Sequence, residues 1–449
     1  MAKKKQIELT IEEKLQNALV PKEEQPYKIP SNWCWIRLEN IAEWGSGGTP
    51  SRKRKEYYNG NIPWIKTGEL NNGYIFNSEE KITELGLKNS SAKLYPINTV
   101  IIAMYGATIG KVGILSIEAT TNQACACAIV YKNILFKYVF HYLIYQKEAF
   151  INKSKGGAQP NLSQEIIKKH EIPLPPINEQ QRIVNRIESL FAKLDRAKEL
   201  IENTLAQFEQ NKMAILHKAF IGELTAKWRK ENNIDLSSWE KIKLGKVLLP
   251  MQTKKPTGQF FRYIDIDAID NKHQIVKAPK LILTEKAPSR ASRGVETGNI
   301  LFSMVRPYLK NIAQIDSDLS DCIASTGFYV CRCKPELNSR FLYYLFIFDK
   351  TIDYLMQFMK GDNSPSIRKD DLLNMKIDLP TIEEQQEIVN ILDNLLAKYN
   401  KIKNLEQQLE KIELLKKAIL AKAFRGELGT NNPDEESAEN LLKEILAEK

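Results

Sequence analysis

The chain repeats itself. Residues around Pro160, Ile172, Leu174-Pro175 and Glu179-Gln180-Gln181 match those around Pro365, Ile377, Leu379-Pro380 and Glu384-Gln385-Gln386, all at an offset of 205 positions. The match continues through Ile183-Val184-Asn185 and Ile388-Val389-Asn390. Farther on, Ala219-Phe220-Ile221-Gly222-Glu223-Leu224 returns as Ala423-Phe424-Arg425-Gly426-Glu427-Leu428, now at an offset of 204. A period this long marks a duplicated domain and not a short solenoid unit. The chain of 449 residues therefore holds two copies of similar fold, each of about 200 residues and able to bury its own core.

Each copy reads as a strand-rich globular segment followed by one long helix. Apolar runs such as Thr99-Val100-Ile101-Ile102-Ala103 and Ala126-Cys127-Ala128-Ile129-Val130 predict strands in the first segment, cut by glycine turns at Gly45-Ser46-Gly47 and Gly106 to Gly110. Ile300 to Met304 and Phe328 to Cys331 are their counterparts in the second, and both segments open on tryptophan, Trp35 and Trp239. In the first helix Ile183, Ile187, Leu190, Leu194, Ala197, Ile201, Thr204, Phe208, Asn211 and Ile215 step in alternating fours and threes, the heptad stripe of a coiled coil. Ile388, Leu392, Leu395, Tyr399 and Ile402 follow the same rule, but Leu405 then comes three residues later where the first helix steps four, which accounts for the change of offset. Thr381 with Glu384 predicts a capping box, Asn178 with Gln181 a looser one, and Gly222 and Gly426 predict the helix ends.

The expected fold class is α+β: two similar mixed α/β domains joined by two long helices that form an antiparallel coiled coil, with a pseudo-twofold internal duplication. The expected boundaries are an N-terminal segment 1–28, a first domain 29–177, a spacer helix 178–225, a linker 226–236, a second domain 237–381, a second spacer helix 382–428 and a tail 429–449. Short terminal helices are expected around Ile11-Glu12-Glu13-Lys14-Leu15 and Ala438-Glu439-Asn440-Leu441-Leu442. A helix of about 40 residues is roughly 60 Å long at ~1.5 Å per residue, so two heads would sit at the ends of a rigid spacer.

Net charge is +10, with a pI near 9.0, which favours an acidic partner such as nucleic acid. No apolar run reaches the ~18 residues of a membrane span, and the start Met1-Ala2-Lys3-Lys4-Lys5-Gln6 has no signal-peptide core. A cytoplasmic location without membrane attachment is expected. The pairs Cys125/Cys127 and Cys331/Cys333 fall at roughly equivalent places in the two copies but lack a second pair or a nearby histidine. His141, His170, His217 and His273 show no metal-ligand spacing. All are read as structural, and no metal site is expected.

Two heads on a spacer suit duplex DNA, whose groove repeats every ~34 Å; a coiled-coil scaffold holding proteins, or a free-standing DNA-binding regulator, are the alternatives. Further motifs weigh on the choice: Gly48-Thr49-Pro50-Ser51, Ile62-Pro63-Trp64-Ile65-Lys66-Thr67-Gly68, Tyr105-Gly106-Ala107-Thr108-Ile109-Gly110-Lys111, Thr121-Asn122-Gln123-Ala124, Gln159-Pro160-Asn161-Leu162, and Pro173-Leu174-Pro175-Pro176 with Glu179-Gln180-Gln181. With the two-copy plan, they closely resemble the specificity (S) subunit of type I restriction-modification enzymes. That resemblance implies a noncatalytic DNA reader with two target recognition domains, each binding one half of a bipartite site. It also implies partners: two adenine-N6 methyltransferase (M) subunits and ATP-using restriction (R) subunits. S-adenosylmethionine, ATP and Mg would then belong to the partners and no cofactor to this chain. In agreement, the only Pro-Pro is Pro175-Pro176, outside any Asn-Pro-Pro-Tyr or Asp-Pro-Pro-Tyr motif. No phosphate loop occurs either, since Gly106 to Lys111 has the wrong spacing and reads as a strand-joining turn.

Phosphate contacts need cations, and base contacts need paired donors and acceptors. In the first head the loop Arg52-Lys53-Arg54-Lys55 is the leading phosphate candidate; Lys66, Thr67, Tyr105, Thr108, Lys111, Gln159 and Asn161 end strands or sit in turns that could converge on one edge. The second head offers Arg262 and Tyr263, Arg290 and Arg293, Arg306 and Tyr308, and Asn363, Ser364 and Arg368. Arg306 follows its strand where the first head has the Tyr105-Gly106 turn.

Overall fold

The computed structural model describes residues 10–154, 161–397 and 402–448. Gln159 and Tyr399 lie outside the described residues. The chain divides into two compact units, Met1–Glu199 with Gln408–Lys449, and Leu200–Gln407. Helix Ile177–Phe220 begins in the first unit and ends in the second.

In the first unit a five-stranded sheet runs in the order Ala42–Ser46, Cys125–Val130, Val100–Ala103, Val112–Leu115, Gly73–Ile75. A smaller sheet holds Glu80–Ile82, Tyr58–Ile65 and Thr120–Thr121, with Tyr58–Ile65 parallel to Thr120–Thr121. A two-stranded pair, Cys34–Arg37 with Glu171–Leu174, ties the start of the head to its end. The central strand is apolar throughout because both its faces are covered. Val100 and Ile102 enter a core shared with helix Phe136–Tyr145, whereas Ile101 and Ala103 enter a second core on the opposite face, the period-2 alternation of a strand.

The second unit repeats this plan. Leu248–Leu249, Phe328–Cys333, Ile300–Ser303 and Ile312–Gln314 form one sheet. Lys280–Leu283, Phe260–Ile264, Ile323–Ser325 and Ala291–Gly294 form another, again with one parallel pair, Phe260–Ile264 against Ile323–Ser325. Glu240–Lys243 pairs with Lys376–Leu379. Ile300 and Phe302 face helix Ser339–Ile347, while Leu301 faces the other core. The two heads thus share a mixed α/β fold, as the duplication requires.

Helix Ile177–Phe220 pairs antiparallel with helix Ile402–Phe424 in the first unit and with helix Ile382–Ala397 in the second. In the first, Ile183, Val184 and Ile187 share a core with Leu420, Ala423 and Phe424; Lys416 pairs with Asp195 at 2.5 Å and Lys198 with Glu413 at 3.3 Å, so a step forward on one helix is a step back on the other. In the second, Leu216 and Ala219 pack with Ile388, Val389 and Leu392. Of the heptad stripe, Ile183 and Ile187 are fully buried; Leu190, Leu194, Ala197, Ile201, Phe208 and Ile215 are half-buried, and Thr204 and Asn211 are exposed. Burial is deepest where the helix meets a head.

The repeated Glu-Gln-Gln is a structural clasp. Glu179 is fully buried and accepts hydrogen bonds from Thr430 Oγ1 at 2.6 Å and Arg182 Nε at 3.0 Å. Glu384, also fully buried, accepts from Thr225 Oγ1 at 2.6 Å, from Trp239 Nε1 at 2.9 Å and from Arg229. Thr225 and Thr430 each follow the end of one long helix, so each clasp joins the start of one helix to the segment after the other. Gln180 and Gln385 bridge likewise: each donates to a proline carbonyl, Pro175 or Pro380, and accepts a backbone N–H, of Leu135 or Asn338.

The linker 226–236 contains helix Ala226–Glu231 and places Arg229 in the buried clasp. Three expectations change. The capping box at Thr381 is half made: Glu384 N–H bonds Thr381 Oγ1 at 3.4 Å, but the Glu384 carboxylate turns to the clasp. Asn178 caps nothing, since the helix already starts at Ile177. The cysteine pairs are not equivalent, for Cys125 and Cys127 face the core that holds Ile101 while Cys331 faces the one that holds Ile300. Gly222 and Gly426 do end their helices in the left-handed region, at φ of 78° and 73°. The terminal helices form as Ile11–Ala18 and Ala438–Ala447 and pack on each other in the first unit.

Candidate nucleic-acid interface

In each head three chain segments meet at one end of the central strand, joined by backbone hydrogen bonds. In the first, Met104 N–H bonds Ala124 O at 2.8 Å and Leu162 N–H bonds Met104 O at 2.9 Å, and Tyr105 bridges Asn161. In the second, Met304 N–H bonds Gly327 O at 2.9 Å and Ile367 N–H bonds Met304 O at 3.0 Å, and Val305 bridges Ser366. The junction is the same; the side chains it presents differ.

The first junction gathers several of the expected residues. Tyr105 is 40% exposed and outside the core, Asn161 is exposed beside it, and Thr108 and Lys111 are half-buried within the turn. Thr108 Oγ1 donates to Tyr105 O at 2.9 Å, which fixes the turn. Asn122 N–H bonds Ile65 O at 2.9 Å, which brings Lys66 and Thr67 to the same edge. Lys66, however, is spanned by Glu79 at 3.0 Å and Glu80 at 3.1 Å, and these carboxylates hold its ammonium pKa up. Such a lysine is less available to phosphate.

The basic loop divides in the same way. Arg52 bonds Glu80 at 2.6 Å and lies over the rings of Tyr58 and Trp64, at 4.5 and 4.9 Å. Its hydrogen bond to Glu80 raises the guanidinium pKa and lowers that of the carboxyl. It therefore braces the loop. Arg54 makes an exposed contact with Glu56 at 3.4 Å, of little energetic weight. Lys53 and Lys55 are exposed and have no ion pair among the described residues, which leaves their ammonium groups open to an anion.

In the second head Arg290, Arg306, Tyr308, Asn363, Ser364 and Arg368 are exposed. Thr326 N–H bonds Arg290 O at 2.9 Å, which sets Arg290 beside the junction. Arg306 Nη2 donates to Asn363 O at 2.9 Å. Arg368 begins the short helix Lys369–Leu373, its N–H held by Asp371 at 2.7 Å. Tyr263 does not belong to the surface: it is 2% exposed, in a core with Phe261 and Ile323, and burial raises its pKa. Arg262 is tied to Asp321 at 2.9 Å and to Asp318 O at 2.5 Å. Arg293 is half-buried in strand Ala291–Gly294, opposite Thr253. The alternation of a strand placed Arg262 and Tyr263 on its two faces, and neither face is the junction.

Two groups escaped the sequence reading. Lys254 and Lys255 are exposed in the loop after strand Leu248–Leu249, the place that Arg52 to Lys55 hold after Ala42–Ser46. Aligning the two copies through these strands would have found them. Thr49 hydrogen-bonds Gln123, joining two of the motifs at the first junction. The thiols are structural: burial pushes Cys127 and Cys333 up to about 12. Among the described residues no group of three or more His, Cys, Asp or Glu is placed to hold a metal ion, and no helix is long and apolar enough to cross a membrane.

Two duplicated heads, each with a polar junction and basic loops, and two long helices paired antiparallel define a class. The family model of the type I restriction modification DNA specificity domain matches residues 30–207 and again 239–414, and the chain belongs to this family. It is a DNA-recognition specificity subunit of a type I restriction-modification system. Among similar chains, the MjaIX specificity subunit of Methanocaldococcus jannaschii is 26% identical over 436 residues, covering 89% of this chain and 94% of that one. The EcoDI specificity subunit of Escherichia coli is 26% identical over 458 residues, covering 94% and 96%. A solved chain from a study of complex assembly and conformational transition of the type I R-M system superposes with a TM-score of 0.69 at 21% identity, covering 90% of this chain and all of that one. The HsdS subunit of Thermoanaerobacter tengcongensis gives 0.54 at 21%, with the same coverage, and supports the same fold.

Proposed function

We propose that each head reads one half of an asymmetric, two-part DNA target with the edge built on its junction, and that the length of the helices sets the number of unread base pairs between the halves. The observation that carries this reading is the recurrence of one backbone junction in both heads with unlike side chains on it: Tyr105, Thr108 and Asn161 in the first, Arg306, Tyr308 and Ser366 in the second. The same frame with different donors and acceptors reads different bases.

The chain itself performs no chemistry in this reading. It lends its specificity to a DNA adenine-N6 methyltransferase and, where present, a type I endonuclease, by binding two M subunits and the R subunits in the cytoplasm. S-adenosylmethionine, ATP and Mg are used by those partners. The test is sequencing of N6-methyladenine in DNA from cells that express the methyltransferase partner with and without this chain. A methylated, asymmetric two-part motif that depends on the chain is expected. No new motif, with the partner shown to be active beside another specificity subunit, would leave a coiled-coil scaffold or a free-standing regulator.

A further inference from the structure

We propose that Arg306 reads a guanine in the half-site of the second head, and that it is the residue that fixes that base; the inference rests on the DNA-reading function given above. Arg306 occupies the left-handed region at φ 48° and ψ 61°. The corresponding place in the first head, one residue after the bridge to the returning segment, is Gly106 at φ 63°. Glycine takes this conformation at no steric cost, whereas arginine is strained there. The second head thus carries a strained arginine where its sister shows that glycine suffices, and strain of this kind persists at sites where the side chain is used.

The surroundings hold the side chain in place. Arg306 N–H bonds Pro365 O at 2.8 Å, and Nη2 donates to Asn363 O at 2.9 Å. The turn that follows is closed by Leu309 N–H on Arg306 O at 2.9 Å. It ends on Lys310, also left-handed at φ 50°, whose ammonium is bound to Asp349 and to Ile347 O. Pro307 is buried beneath. Nη2 gives one of its two hydrogens to Asn363 O, and Nε and Nη1 make no hydrogen bond among the described residues, so of the two side-by-side donor pairs, which share Nη2, one is anchored and the other stays open. The side chain itself is exposed. A planar cation held on one side, with a donor pair left open, suits the O6 and N7 acceptors of guanine in the major groove. Arg262 and Arg332 are bound to carboxylates. Arg290 is exposed, has no ion pair among the described residues and suits a phosphate.

The test uses the full chain with its methyltransferase partner in cells that carry a plasmid library randomised across the target. Arg306→Gly keeps the left-handed backbone, as Gly106 does, so the turn survives the loss of the side chain. It is expected to relax one G·C position of one half-site, by roughly ten- to hundredfold in discrimination, and to leave the other half-site at full discrimination. Arg306→Lys, which keeps the charge without the fork, is expected to relax the same position. An unchanged motif, or relaxation at an A·T position, would overturn the assignment. So would uniform weakening at every sequence with a salt slope reduced by about one, which marks a phosphate contact. A wild-type chain that directs no two-part motif would overturn the DNA-reading function itself, and that result appears in the arm without substitutions.

Discussion

Replacing Glu384 by alanine should damage the protein far more than replacing Glu179, although the two are repeats of one position. Glu384 accepts from a hydroxyl, an indole and a guanidinium, and its partner Arg229 is only 7% exposed. Without the carboxylate, Arg229 keeps Thr225 Oγ1, Gly222 O and the ring of Trp239, none of them anionic, and its charge stays buried. Breaking a buried pair from one side costs about 3–5 kcal/mol. Glu179 differs because Arg182 is 38% exposed and also holds Glu435 through two hydrogen bonds of 2.8 and 2.6 Å. Glu179→Ala then strands mainly the Thr430 hydroxyl, at a cost of about 1–2 kcal/mol. Hydrogen exchange on the intact chain resolves the two units, so each loss can be measured in its own unit. The double variant Glu384→Ala/Arg229→Met should recover part of the loss, since no lone charge remains. Equal costs at the two positions, or a cost below about 1 kcal/mol for Glu384→Ala, would refute the reasoning.

Lys53→Ala with Lys55→Ala should weaken binding of the assembled enzyme to all sequences alike and reduce the salt slope by about two, as measured by affinity at several salt concentrations; altered base preference would argue against a phosphate role. His170 is buried against Phe150 and accepts from Lys153 at 2.9 Å. Burial, with the Lys153 charge, lowers its pKa to about 4. Because the folded value lies below the unfolded ~6.5, this neutral imidazole contributes stability fully above that pH and loses it as pH falls from about 6.5 to 4, by at most about 3 kcal/mol. Unfolding across this range should show the step in the parent chain and not in His170→Gln. Finally, inserting four residues at matching levels of both long helices should change the unread gap of the methylated motif by the advance of about one helical turn; modification at the original spacing would refute the spacer role.

Much of this molecule is legible in the sequence. The duplication dictates two like folds, because two similar chains bury their apolar residues in similar ways. The heptad stripe marks the helices, and Gly222 and Gly426 mark their ends, because those signals are local. The edge of the first head was legible too, since Tyr105, Thr108 and Asn161 sit where strands must turn. What stayed hidden depends on contacts distant in the chain. No spacing says that Arg52 and Lys66 meet Glu80, which ties up part of their hydrogen-bonding capacity. Tyr263 reads as an aromatic beside an arginine until neighbouring strands of its own sheet bring Ala291 and Ile323 into one core with it. The Glu-Gln-Gln repeat is visible as a pattern, but its partners Thr225 and Thr430 lie 159 and 251 residues away. The sequence by itself determined the number of domains, the class of each and the helices between them, because these follow from periodicity and local backbone preference. Only the tertiary structure decided which cations remain open to DNA and which carboxylates are locked into the scaffold, because a charge is committed by whatever the fold brings within hydrogen-bonding distance of it.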